Sequence, residues 1–165
     1  MDYNVKNEYG ENMKILISAC LLGESCRYDG KSKCDENINA QKNNYEFLPV
    51  CPECLGGLGI PRDPSEIIGN RVVSENGKDV TENYATGARK TLEIAVENDI
   101  KIAILKERSP SCGYGKIYDG TFTGKLTDGN GITAQLLSDN GIVVLGESKF
   151  CSVENVIHKI YGENK

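Results

Sequence analysis

Residues 81–105, TENYATGARKTLEIAVENDIKIAIL, place one complete helix pattern directly before one complete strand pattern. Tyr84, Ala88, Leu92 and Ala95 recur at three- and four-residue intervals, the spacing of a single buried helical face. Thr81 stands where a side-chain oxygen caps a first turn. Glu82 follows where the helix dipole favours a carboxylate. The pattern predicts a helix over 82–98, ending near Asn98 or Asp99. Residues 100–105 (IKIAIL) then form an apolar run of strand length. A helix that feeds straight into a buried strand is the repeating unit of an α/β sheet with crossover connections.

The alternation continues outward. Toward the C-terminus, residues 132–139 read as a short helix after Gly129 and Gly131. Residues 142–145 (IVVL) read as another strand, and residues 153–161 as a closing helix. Toward the N-terminus, residues 14–19 (KILISA) read as a buried strand. Residues 47–50 (FLPV) form a weaker strand pattern, because Pro49 lacks a ladder donor, and residues 71–73 (RVV) a short extended segment. Residues 30–46 and 106–131 are long, polar, glycine-containing connections, which in a compact domain are usually functional or ordered by a ligand. The expected architecture is α/β: a Rossmann-like open parallel sheet with helical crossovers, in a single domain over 14–165. A flexible extension is expected over 1–13.

The chain has 165 residues, enough to bury a core without disulfides or a structural metal. Its net charge of −5 gives no electrostatic footprint for duplex nucleic acid and does not favour a tRNA partner. No run of eighteen apolar residues is present, so no membrane span is expected. Residues 1–13 lack the basic start and apolar run of a signal peptide. A cytoplasmic location is expected.

Seven cysteines against a single histidine, His158, are the compositional anomaly. In a reducing compartment they point to metal binding or catalysis rather than to a disulfide framework. A nearly all-sulfur donor set suits an iron–sulfur cluster or zinc. Cys20 directly follows the strand 14–19, Cys51 directly follows 47–50, and Cys112 lies in the loop after 100–105. Ligands of open α/β sheets bind beyond the carboxyl ends of the strands, so parallel strands would bring these three together. Cys51 and Cys54 form a CxxC, for which a redox or zinc pair is the competing reading. Cys26 lies close to Cys20 in the same loop region. Cys34 is expected to be a free thiol in a polar loop, and Cys151, beside Phe150, a small buried hydrophobe.

Ser18-Ala19-Cys20-Leu21-Leu22-Gly23, Arg27-Tyr28-Asp29-Gly30, Pro49-Val50-Cys51-Pro52-Glu53, Gly56-Gly57-Leu58, Pro61-Arg62, Leu105-Lys106 and Ser109-Pro110-Ser111-Cys112-Gly113 together resemble the TudS-type thiouracil desulfidases, from about Lys14 to Gly146. The resemblance implies a [4Fe-4S] cluster on Cys20, Cys51 and Cys112, with Glu53 and Ser109 as the catalytic carboxylate and hydroxyl. Arg27, Tyr28, Arg62 and Ser111 are the substrate-binding candidates: arginine suits phosphate or carbonyl groups, and a tyrosine ring can stack on a base. The implied activity is non-redox, hydrolytic desulfuration of a thiopyrimidine base or nucleotide. The alternative is a cluster- or zinc-binding structural or redox module. Sulfur insertion into a nucleobase is disfavoured, since no GxxxxGK[ST] phosphate loop is present.

Overall fold

The computed structural model describes Lys6 and residues 12–162. In chain order its elements are β1 (Lys14–Ser18), α1 (Glu36–Asn39), β2 (Glu46–Val50), α2 (Pro52–Leu55), β3 (Ser65–Ile68), β4 (Arg71–Ser74), α3 (Thr81–Glu97), β5 (Ile102–Leu105), β6 (Lys116–Tyr118), β7 (Leu126–Asp128), α4 (Ile132–Asp139), β8 (Val143–Gly146) and α5 (Val153–Tyr161). Short 3-10 turns cover Ala19–Leu22 and Glu147–Ser152. Of the extension expected over 1–13, residues 1–5 and 7–11 lie outside the described residues.

Four strands form one parallel sheet in the order β2-β1-β5-β8. Alternation along the strands sorts side chains to two faces. Ile15 and Ile17 of β1 and Ile102 and Ile104 of β5 pack with Ile38 of α1 and Val153 and Ile157 of α5. Leu16, Ala103, Leu105 and Val144 pack on the other face with Ala95 of α3 and Ala134 and Leu137 of α4. The result is a three-layer α/β sandwich, each fully buried Leu or Ile contributing roughly 1.5–3 kcal/mol. Pro49 is tolerated because β2 is an edge strand: it sits opposite Ile17 and bonds only to β1.

The chain crosses from β1 to β2 on one side, then returns past β1 to β5. That reversal is the topological switch point at which open α/β sheets bind ligands. Two antiparallel hairpins, β3-β4 and β6-β7, lie outside the sheet. The second falls within 106–131, so that long connection is structured. The hairpins are joined where the Phe122 N–H donates to Glu66 Oε2 at 2.9 Å.

Two local expectations are corrected. Thr81 does not cap α3. The Asp79 carboxylate accepts from both the Thr81 N–H (3.0 Å) and its hydroxyl (2.6 Å), while Thr81 Oγ1 accepts from the Val72 N–H. Cys151 is exposed rather than buried, because Phe150 takes the inward position against Tyr45 and Phe47. Cys34 is exposed and free, as expected. Among the described residues no helix is long and apolar enough to cross a membrane.

Candidate active site

A cavity of about 630 Å³ opens beyond the carboxyl ends of β1, β2 and β5. Cys20, Cys51 and Cys112 all line it, together with Glu53 and Ser109. Each cysteine is set by its own local structure. Cys20 sits in the 3-10 turn after β1, where its carbonyl accepts from the Gly23 and Lys33 N–H groups. Gly23 closes that turn at φ +100°, a left-handed conformation suited to glycine. Cys51 is the N-cap of α2, with Pro52 at the first helical position, where its missing N–H costs nothing. Cys112 is held by Ser109, whose Oγ accepts from the Ser111 N–H (3.0 Å) and the Cys112 N–H (3.1 Å). The Lys106 N–H donates to Ser18 Oγ at 2.9 Å, tying the ends of β1 and β5 together beneath the site.

Two further thiols belong to this neighbourhood. Cys26 lines the cavity beside Cys20 and Cys51, and both of their thiols act on its ionisation. The Cys51 and Cys54 thiols lie 3.7 and 3.9 Å from the Cys26 carbonyl oxygen. Packed thiols resist ionisation. Burial pushes Cys112 up to about 12. The Cys20 thiol, then burial, raises Cys26 to about 11. Burial, then the Cys51 thiol, raises Cys54 to about 11. The Cys26 thiol, then burial, raises Cys51 further still. Iron ligation is the circumstance that reverses this penalty, since a coordinating thiol is deprotonated by the charge of the metal. Among the described residues no three His, Cys, Asp or Glu side chains converge to hold a single metal ion. Three soft sulfurs instead stand at three separate strand ends, a donor set that would suit a cluster whose irons are separate ligation points.

Glu53 and Arg62 form a half-buried pair. Arg62 Nε (2.7 Å) and Nη2 (2.5 Å) both reach Glu53 Oε2. Arg62 also donates from Nη2 to the Cys26 carbonyl (3.0 Å) and from Nη1 to that of Gly59 (3.1 Å). Most of its five N–H donors are therefore committed inside the protein, and among the described residues no hydrogen bond reaches the other carboxylate oxygen, Glu53 Oε1.

The remaining candidates separate. Arg27 and Tyr28 line the cavity, but Arg27 is 3.7 Å from Asp29 and lies over the Tyr28 ring at 5.6 Å. Ser111 is buried, with its Oγ 3.0 Å from Thr133 Oγ1. It is not among the cavity-lining residues and stands behind the Cys112 loop. Lys33, Glu66, Tyr118 and Phe122 also line the cavity and were not singled out from sequence. Three of these come from the hairpins β3-β4 and β6-β7, whose strands of three or four residues are too short to carry much periodic signal.

Comparison with known proteins bears on the family and the fold. The family model described as 2-thiouracil desulfurase matches residues 15–149. The protein YbbK of Bacillus subtilis (strain 168), itself described as uncharacterized, is 45% identical over 145 residues, which are 82% of this chain and 96% of YbbK. A solved structure of TudS, a [4Fe-4S]-dependent thiouracil desulfidase, superposes with a TM-score of 0.83. It is 42% identical and covers 88% of this chain and 97% of its own.

Proposed function

The chain belongs to the 2-thiouracil desulfurase family, and on that premise we propose that it removes sulfur from a thiolated pyrimidine by hydrolysis, with a [4Fe-4S] cluster held by Cys20, Cys51 and Cys112. The observation that carries this reading is the meeting of those three thiols with Glu53 and Ser109 in one cavity at the switch point of the sheet. When bound, such a cluster supplies a soft Lewis-acidic iron free of protein ligands, suited to a thiocarbonyl sulfur.

The chain's own residues supply the rest. Glu53 Oε2 is occupied by Arg62, so Oε1 is the oxygen that takes the proton of the attacking water. The two acceptor positions of Ser109 Oγ are filled by backbone N–H groups. Its hydroxyl proton is what remains, so Ser109 serves as a donor that orients the pyrimidine. Arg62 acts through Glu53 and the Cys26 carbonyl as a positioning residue, and Ser111 through the Cys112 loop. Arg27 and Tyr28 form the rim against which the rest of a base or nucleotide lies. The substrate is a small thiopyrimidine, and the acidic chain does not favour tRNA.

The test is anaerobic reconstitution followed by sulfide release from 2-thiouracil. The wild type should carry one cluster per chain by iron and acid-labile sulfide content and release sulfide. Cys20→Ala, Cys51→Ala and Cys112→Ala should lose both, while Cys26→Ser and Cys54→Ser keep the cluster. A protein that binds zinc through its thiols and releases no sulfide would establish the structural-module reading instead.

A further inference from the structure

Four aromatic rings line the cavity: Tyr28, Tyr84, Tyr118 and Phe122. Three have other engagements. Tyr84 is 3% exposed and packs with Val72 and Val80. Tyr28 carries the Arg27 guanidinium over its ring. Tyr118 is set in regular strand β6, opposite Leu126.

Phe122 differs. It is half-buried, and among the described residues its ring makes no aromatic or cation contact. Its backbone is at φ +56°, a left-handed conformation that is an outlier for a bulky residue and natural for glycine. The conformation is held from outside: the Phe122 N–H donates to Glu66 Oε2 at 2.9 Å, across 56 residues of chain, and Glu66 is itself 5% exposed. The tip is fixed further by Asp119, which accepts from the Thr121 N–H and hydroxyl. Gly120 passes so close to β3 that an added Cβ would lie 2.7 Å from the Ile67 carbonyl oxygen. A turn that needed only this backbone would be met by glycine. A bulky ring kept there, at a cavity wall and against its preference, points to use of the ring itself.

We infer that Phe122 is the substrate-positioning residue against whose ring the pyrimidine lies, and that Glu66 is the positioning residue that holds it there. This rests on the desulfuration reading for the substrate class and on the hairpin geometry for the residue. A flat heteroaromatic ring gains by offset stacking on a phenyl face, and the contact is the same with substrate and product.

Phe122→Gly is the informative variant, because it removes the ring while relaxing the backbone. Its thermal unfolding midpoint should equal or exceed that of the wild type. Uracil binding to the anaerobically loaded protein, measured by calorimetry, should weaken about tenfold, within the range of a lost base–aromatic stack. KM for 2-thiouracil should rise more than kcat falls. Phe122→Tyr should restore affinity. Glu66→Gln, which keeps an acceptor oxygen, should bind better than Glu66→Ala. Uracil affinity of Phe122→Gly within about twofold of the wild type, against the tenfold expected for a lost stack, would overturn the inference. So would a lowered unfolding midpoint in Phe122→Gly, which assigns the ring to the core, or no uracil binding by the wild type. A wild type that binds uracil through Phe122 yet releases no sulfide from 2-thiouracil would sink the desulfuration reading and leave this inference standing.

Discussion

At the scale of single residues, the site is built from groups that hold one another. Glu53 has one oxygen fastened and one left over, and Ser109 has its acceptor capacity filled. On the proposed reading these two facts divide the proton work: the carboxylate would accept and the hydroxyl would donate. Glu53→Gln should lower kcat for sulfide release by about 10²-fold or more, the usual size of a general-base contribution, and leave cluster content intact. Arg62→Ala should lower it through the same group, by releasing Glu53 and the Cys26 carbonyl it now pins. Ser109→Ala should behave differently, because it also strips the acceptor from two loop N–H groups. An unsatisfied, partly buried donor costs roughly 1–3 kcal/mol. This variant should lose cluster content along with activity, as iron analysis of the reconstituted protein would show. If Ser109→Ala retains a full cluster, its structural part is unimportant and the hydroxyl acts on substrate alone.

At the scale of elements, the placement of Cys51 and Glu53 depends on how closely α2 approaches α3. A Cβ on Gly87 of α3 would overlap the Pro52 carbonyl oxygen, and a Cβ on Gly56 would overlap that of Asn83. Asn83 Nδ2 also donates to the Gly56 carbonyl at 2.9 Å. The two glycines therefore let backbone meet backbone at the crossing. Gly87→Ala should raise helix propensity by up to about 1 kcal/mol, yet the overlap forces α2 away from α3, an overpacking penalty of about 1–3 kcal/mol. Denaturant unfolding should show net destabilisation, and reconstitution should show reduced cluster loading; a stabilised Gly87→Ala protein with normal loading would sink this account of the crossing. The same elements show what the sequence discloses and what it hides. IKIAIL and KILISA are apolar runs without competitors, so β5 and β1 are legible, and with them the positions of Cys20 and Cys112. The helices 132–139 and 153–161 match α4 and α5 because their apolar residues repeat at helical spacing. Strand β7 is Leu-Thr-Asp with every residue exposed, and α2 is a four-residue turn, so neither carries a pattern. The Phe122–Glu66 bond spans 56 residues, and no local rule connects a glutamate to an amide that distant.

At the scale of the molecule, the parallel sheet supplies the thiols from below, and two hairpins, joined through Glu66, supply further cavity wall. That join has a pH signature. Burial raises the Glu66 pKa above the ordinary glutamate value of about 4.3, outweighing the Phe122 N–H bond that favours its charged form; Asp119 and Glu75 push the same way. Between the unfolded and folded pKa the native state holds more proton than the unfolded chain. Unfolding free energy therefore falls as pH rises through that window, and the full penalty is present above it. Other groups act in the opposite sense: Asp79, Asp119 and Asp128 are lowered, mainly by Thr81, Thr121 and Lys116 respectively, and they lend stability that is lost as pH falls through their folded values. The net profile mixes both, so the Glu66 contribution must be read by difference. Glu66→Gln keeps an acceptor for Phe122 without a titrating carboxyl. The stability of Glu66→Gln minus that of the wild type, from denaturant unfolding at each pH, should grow as pH rises from below the free-glutamate value and level off once Glu66 is ionised in both states. A difference that stays flat with pH would mean that Glu66 titrates alike in folded and unfolded protein, and that joining the hairpins costs the fold no buried charge.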